Sequence, residues 1–91
     1  MGYMALRNTT TGQANTAIGR EALRWTTVGE SNTAIGSLSM IWNNSGVNNT
    51  AVGSQTLYEN SIGWNNTAVG TGSLFYAKGS DNTAVGVASL R

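Results

Sequence analysis

The sequence contains no cysteine, no proline and no histidine in its 91 residues. The absence of cysteine excludes a disulfide framework and thiolate metal sites. Because histidine is absent as well, Ser-His-Asp and Cys-His nucleophilic arrangements and the usual zinc ligands are also excluded. We therefore predict that the protein is not an enzyme and that it holds no metal ion and no cofactor.

The sequence also contains few charged residues. Asp, Glu, Lys and Arg make up 10% of the chain and the net charge is +1, whereas soluble globular domains carry about 25% charged residues. This balance gives no electrostatic footprint for nucleic acid or for an anionic membrane. No apolar run is long enough to cross a bilayer, and residues 1–6 are too short and too polar for a signal sequence. Nucleic acid and membrane insertion are therefore not expected.

What the sequence does contain is a repeat. The string Asn-Thr-Ala-Ile/Val-Gly occurs five times, with its asparagines at Asn15, Asn32, Asn49, Asn66 and Asn82. Three of the spacings are 17 residues and the last is 16. The whole chain, 1–91, is thus predicted to be one repetitive segment with units at about 2–18, 19–35, 36–52, 53–69 and 70–85 and a partial unit at 86–91.

Two glycines mark each unit. One closes the repeated string, and a second follows ten residues later, or nine in the last case, at Gly12, Gly29, Gly46, Gly63 and Gly79. Glycine at such fixed positions indicates a positive φ at a corner or a backbone that approaches too closely for a Cβ atom. Each unit is therefore predicted to have two corners.

The strand and the other arm of the unit differ in pattern. Asn-Thr-Ala-Ile/Val places β-branched residues two apart, which predicts a short strand with Thr and Ile/Val on one face. The arm at 20–25 has no alternation and good helix formers, which predicts a single helical turn. A large apolar residue stands four positions after Gly2 and after each string-closing glycine, at Leu6, Leu23, Met40, Leu57, Leu74 and Leu90. We expect this column to face the core together with the column Ile18, Ile35, Val52, Val69 and Val85.

One unit cannot fold alone. Its two large apolar side chains contribute roughly 3–6 kcal/mol when fully buried, against about 1–2 kcal/mol of backbone ordering for each residue. Stacked coils share their hydrogen bonds with neighbouring coils, and several chains around one axis would thicken the core. The predicted fold is mainly β: a repetitive β-solenoid or β-roll of 17-residue units (short strand, Gly corner, short helical turn or loop, Gly corner), associated as a homotrimer or filament. A monomeric solenoid is the alternative.

These repeats resemble the Asn-Thr-Ala-Ile/Val-Gly repeats of phage tail fibres and of related bacterial trimeric adhesive fibres. More distantly, they are similar to the head repeats of trimeric autotransporter adhesins. The resemblance covers essentially the whole chain and implies an elongated homotrimeric shaft or head outside the cell, on a virion tail fibre or a bacterial surface. The receptor-binding tip and the trimerisation domain of such fibres are usually separate segments, and neither is visible in this sequence.

Two groups of polar residues are candidate sites. The asparagines of the repeat could offer carbonyl oxygens to a cation, but few carboxylates accompany them, and an in-register amide ladder is the favoured interpretation. The acids Glu21, Glu30, Glu59 and Asp81 fall at different positions of the repeat. They are expected to be solvated surface charges rather than a paired-carboxylate catalytic site.

The aromatic residues give the one hint of a ligand. Trp25, Trp42 and Tyr76 share one position of the repeat, two residues beyond the large apolar column, while Tyr58 lies one step earlier and Trp64 near the second corner. Such rings either fill gaps between chains and cover the core edge or stack on surface glycans, with avidity from several copies. Two functions remain open: a structural, adhesive fibre segment that serves as a rigid shaft or spacer, or a lectin-like module that presents Trp and Tyr to a glycan receptor.

Overall fold

The computed structural model describes residues 13–25, 28–43, 45–59, 63–74 and 79–88. It contains five strands of three residues each: β1 Thr16–Ile18, β2 Thr33–Ile35, β3 Thr50–Val52, β4 Thr67–Val69 and β5 Thr83–Val85. They form one parallel sheet in the order β1-β2-β3-β4-β5. Each strand is one side of one coil, so the predicted mainly β, repetitive solenoid is confirmed.

The strands pair in register, which the repeat length explains. Thr16 pairs with Thr33 and Ile18 with Ile35, and the same correspondence continues to β5. The spacing of 16 residues between Thr67 and Thr83 leaves the register of β4 and β5 unchanged. The missing residue is therefore absorbed by the part of the coil between the strands.

The arm at 20–25 is a turn and not a helical turn, so that prediction is wrong. Glu21 and Leu23 have φ angles of +58° and +53°, which is left-handed backbone that a right-handed helix cannot contain. The backbone N–H of Leu23 donates to the carbonyl of Ser39 at 3.0 Å, and that of Trp25 to the carbonyl of Ile41 at 3.0 Å. These hydrogen bonds run to the next coil instead of four residues back along the chain. None of the described residues forms a helix of the length and apolarity that crossing a membrane requires.

The core lies between the strand side and this turn side of each coil. The large apolar column is buried as predicted in every described coil, at Leu23, Met40, Leu57 and Leu74. Opposite it, the central alanine of every strand is buried: Ala17, Ala34, Ala51, Ala68 and Ala84. Leu6 and Leu90, the two ends of the predicted column, lie outside the described residues.

The Ile/Val column does not face this core, which corrects the second half of the core prediction. Thr and Ile/Val do share one face of the strand, but the exposed fraction of the four most exposed members ranges from 37% at Ile35 to 70% at Val85. The reason is the width of the coil. A Leu or Met side chain from the turn side nearly fills the interior, so only an alanine fits opposite, and strand alternation then turns both β-branched residues outward.

The two glycine columns meet different demands. Gly36 has φ +129°, and a Cβ atom there would lie 2.5 Å from the carbonyl oxygen of Gly53 in the next coil. Gly46 does not have a left-handed φ, but a Cβ atom there would lie 2.7 Å from the carbonyl oxygen of Gly63. Glycine is thus required at the first corner for its left-handed φ and for the close approach of the next coil, and at the second corner for the close approach alone.

Candidate functional site

A ladder of asparagine side chains runs through the coils beside the strands. The Oδ1 of Asn32 accepts hydrogen bonds from the backbone N–H and the Nδ2 of Asn49, at 2.9 and 3.1 Å. The Nδ2 of Asn32 donates to the carbonyl of Gly46 at 2.7 Å. The amide oxygens of Asn15, Asn32 and Asn66 each accept two N–H groups and are thus engaged within the coil stack. The predicted amide ladder is observed, and it argues against the cation alternative.

One of the four acids is not a solvated surface charge, which corrects that expectation. Glu21 is buried, and its carboxylate lies 2.9 Å from Nη1 of Arg24 and 3.2 Å from Nη2 of Arg20. The side chain of Glu21 is 11% exposed while that of Arg20 is 62% exposed. A buried carboxylate needs such a partner, so this cluster fixes the turn. Glu30 and Asp81 are exposed and Glu59 is half-buried.

The outward face of the parallel sheet is a regular surface that runs across all five strands. Each strand contributes one Thr and one Ile or Val to it, and the strands are in register. Neighbouring strands lie about 4.7–4.9 Å apart, so the face consists of two straight columns. No charged residue occurs in either column. We call this surface, made of the Thr and Ile/Val residues of β1 to β5, the outward sheet face.

Two of the predicted aromatic residues are in contact. The rings of Trp25 and Trp42 are stacked, with centroids 5.4 Å apart and an interplanar angle of 4°. The guanidinium carbon of Arg24 lies 5.0 Å from the centroid of Trp25. Each tryptophan therefore has one ring face covered by the other, so the two do not form a continuous open platform for sugar rings.

The position that follows Trp42 in this aromatic column is occupied by Glu59, which the sequence interpretation did not connect with it. Trp42 and Glu59 form a parallel β-bridge, so they are direct neighbours in adjacent coils. Counting 17 residues on from Trp42 would have found the pair. Tyr58 is half-buried, and Tyr76 lies outside the described residues.

Trp64 belongs to a different column. It forms a parallel bridge with Val47, which in turn bridges Glu30. Its side chain is 52% exposed, compared with 43% for Trp42. The four aromatic candidates that the structure describes are therefore not one stripe: Trp25 and Trp42 are stacked, Trp64 belongs to another column beyond the second corner, and Tyr58 is half-buried.

The chain matches no protein-family model, no curated protein and no solved structure. The outward sheet face can bury apolar area without a desolvated charge, and the exposed tryptophans can stack on a flat ligand.

Proposed function

We propose that this chain is a segment of a rigid, non-catalytic fibre that self-associates through its outward sheet face, as a homotrimer. The observation that carries the proposal is the exposure of four of the five residues of the β-branched column, between 37% at Ile35 and 70% at Val85 in the single chain. Monomeric soluble proteins rarely expose a large contiguous apolar patch, and such patches mark interaction surfaces. A regular column that repeats in all five strands suits a partner with the same repeat.

The proposed occupant of the outward sheet face is a second copy of the chain, because only an identical repeat matches the coil spacing along its full length. The absence of charge in the two columns removes any desolvation penalty for an ion. The threonine hydroxyls beside the Ile/Val column can hydrogen-bond to threonines of another copy. The number of copies, three, follows the resemblance of the repeat to trimeric fibres, since the face itself is compatible with other closed assemblies.

The free energy of association is expected to become more favourable as the number of coils in the fibre increases. Full burial of a Val or Ile contributes about 1.5–3 kcal/mol, so covering the exposed parts of five such side chains contributes roughly 3–7 kcal/mol per chain. Association costs about 4–15 kcal/mol in lost translational and rotational freedom. This cost arises once for each added copy, whereas the apolar contribution accumulates with every coil. A long fibre is therefore held together much more firmly than a short one.

The shaft role is supported by the way the coils are connected. Backbone hydrogen bonds, the Asn ladder and the Leu/Met column all join one coil to the next, so each coil is stabilised by its neighbours. A stack of this kind is stiff, and it becomes longer with every added coil. We place the fibre outside the cell, on a virion tail or a bacterial surface, in line with the resemblance of the repeat.

The oligomeric state tests the proposal directly. Sedimentation equilibrium of the chain should give three copies, and the thermal midpoint should rise with protein concentration because folding and association are coupled. The variants Ile35→Glu and Val69→Glu place charges on the outward sheet face and should yield monomers. Gln55→Glu, at an exposed position of the turn side, is the matched control and should associate normally. A monomer with a melt independent of concentration would refute self-association.

A second function, glycan binding, is favoured by the exposure of Trp42 and Trp64. Aromatic faces stack on sugar rings, and stacking on an aromatic side chain contributes about 1–3 kcal/mol for nucleobases. A glycan array probed with the assembled protein tests it. Binding that disappears in the double variant Trp42→Ala and Trp64→Ala, with assembly retained, is the expected result. If no glycan on the array is bound, glycan binding is refuted and the shaft is the one proposed role that is left.

A further inference from the structure

The outward sheet face has a direction, because its two columns stand at opposite ends of the strands. Thr is the first residue and Ile or Val the third residue of every strand. The strands are parallel and in register, so the Thr column forms one edge of the face and the Ile/Val column the other. The two columns lie about 6.6 Å apart, which is twice the rise per residue of a parallel strand.

The coils are stacked across the strands. The order of the strands in the sheet is their order in the chain, so the stack axis crosses the strand direction. Each coil adds one Thr and one Ile or Val to the face at the next level. Contact between copies along the whole face therefore requires that their stack axes are aligned.

Symmetry restricts how three copies can share this face. A closed homotrimer is cyclic, with its copies related by rotation about one axis. When that axis is parallel to the stacks, the strands of one level follow each other around it in the same rotational sense. The third residue of a strand in one copy then lies next to the first residue of the strand in the adjacent copy.

We infer that the Ile/Val column of each copy packs against the Thr column of the adjacent copy, so that the two residue types alternate around the axis at every level. This inference rests on the homotrimer proposed above and names what each copy offers to its partner. At the level of β3, Val52 meets Thr50 of the adjacent copy. At the level of β1, Ile18 meets Thr16 of the adjacent copy.

The chemistry of threonine suits this arrangement, which we call the alternating ring. Threonine carries a methyl group and a hydroxyl group on the same β-carbon, and the methyl group can cover the Ile or Val of the adjacent copy. No charged residue enters the ring. Hydrogen bonds between threonines of different copies, which the face alone also permits, require columns of the same kind to meet. That contact belongs to an antiparallel pair related by a twofold axis along the strands, in which β3 faces β3 and β1 faces β5.

Methyl NMR on the unmodified chain tests the alternating ring. One batch of chain is protonated at the Thr methyl groups alone and a second batch at the Ile and Val methyl groups alone, both in a deuterated background. In a mixture assembled from both, any Thr to Ile/Val NOE joins different copies. We expect such NOEs between Thr50 and Val52 and between Thr16 and Ile18. Val47 bridges residues of the second-corner column outside the face, and its methyl groups are the internal control that should give no intermolecular NOE to these threonines.

A second mixture and one variant complete the experiment. Chains with isotopically labelled Thr methyl groups, mixed with chains that carry unlabelled ones, report contacts between threonines of different copies, and the ring predicts none. Val52→Ala should abolish the intermolecular NOEs of Thr50, while those between Thr67 and Val69 one level further on are retained. Sedimentation equilibrium of each mixture gives the number of copies.

The outcomes separate the alternating ring from the self-association on which it rests. NOEs between Thr16 and Thr83 of different copies would show an antiparallel pair, which overturns the ring and retains association through the outward sheet face. NOEs of Thr16 to Ile35 in place of Ile18 would show copies displaced by one coil, which also overturns it. A monomer without intermolecular NOEs would overturn both the ring and the proposed homotrimer.

Discussion

Replacing Asn49 by aspartate changes one NH2 group into an oxygen atom at a fully buried position. The Nδ2 of Asn49 donates to the carbonyl of Gly63 at 2.8 Å and to the Oδ1 of Asn32 at 3.1 Å. The Oδ1 of Asn49 accepts from the backbone N–H of Asn66 at 2.9 Å. The substitution preserves this acceptor and the size of the side chain, but it sets oxygen against oxygen at the other two contacts.

The expected loss follows from these two contacts. A buried polar group left without its hydrogen bond costs about 1–3 kcal/mol, and this is the expected cost of removing the Nδ2 donor from the Gly63 carbonyl. The Oδ1 of Asn32 keeps the hydrogen bond from the backbone N–H of residue 49, but its repulsion from the new oxygen adds to the loss. An ionised carboxylate would add a further cost of burial. Since small domains are stabilised by only about 5–15 kcal/mol, Asn49→Asp should remove a large part of the stability.

The loss should depend on pH with a definite sign. Burial and two facing oxygens disfavour the charged form, so the pKa of the introduced carboxyl is raised in the folded state above its ordinary value of about 3.9. The folded state then holds a proton that the unfolded state releases, and stability falls as pH rises from the unfolded to the folded pKa. At acidic pH the protonated carboxyl can also donate one hydrogen bond to Gly63, which restores part of the ladder.

Chemical denaturation of Asn49→Asp at neutral and at acidic pH measures both effects. Asn48→Asp is the control, because Asn48 is exposed and its φ of +58° is one that aspartate tolerates. We expect the control to differ from the parent chain by less than about 0.5 kcal/mol. Equal losses in the two variants, or greater stability of Asn49→Asp at neutral than at acidic pH, would refute a buried amide ladder.

Three further substitutions test the frame of the coil by chemical denaturation. Gly36→Ala should cost about 3–5 kcal/mol from backbone strain and overpacking, because its Cβ would meet the Gly53 carbonyl; a loss below about 1 kcal/mol would contradict the coil spacing. Gln55→Gly should raise the free energy of unfolding by up to about 1 kcal/mol, because glycine adopts a φ of +58° without strain, as Gly72 does at the same position of its coil. A lower free energy of unfolding in this variant would contradict left-handed strain at residue 55. Leu57→Ala should cost about 2–5 kcal/mol at a core position with no exposed surface, and a neutral result would contradict the core assignment.

The features that repeat at a fixed spacing were predictable from the sequence. The position of each strand, the two glycine corners, the Asn ladder and the buried column of Leu23, Met40, Leu57 and Leu74 are all confirmed. Such positions are predictable because every coil meets the same neighbours, so the same residue type is required again. A non-repetitive chain of this length would offer no comparable internal comparison.

The direction of the strand faces was not predictable in the same way. Alternation indicates that Thr and Ile/Val lie on one face, but which face points inward depends on the width of the coil interior. That width is set by how far the turn opposite reaches inward, and there the left-handed residues Glu21 and Leu23 replace the expected helical turn. The pattern at 20–25 contains good helix formers, and nothing in it signals left-handed backbone at these two positions.

The candidate site was predictable in its residues and not in its arrangement. Trp25 and Trp42 share a column, as the spacing indicates, but their stacking removes the open platform that the sequence suggested. Glu59 stands in that column as well, although its place in the sequence predicts a solvated surface charge. Ring orientation and the neighbouring residue in the next coil decide what a tryptophan can bind, and both depend on the three-dimensional arrangement of the coils.

The accessibility of one engineered thiol tests most directly whether copies of the chain cover the outward sheet face. The chain has no cysteine, so Val52→Cys introduces a unique thiol on that face, and Gln55→Cys introduces one on an exposed turn. Labelling with a thiol reagent is followed while the protein is diluted through its association range. The account predicts that the Val52→Cys thiol is protected in the assembled protein and becomes reactive on dilution, while the Gln55→Cys thiol reacts at all concentrations. Equal and concentration-independent labelling of both thiols would contradict it.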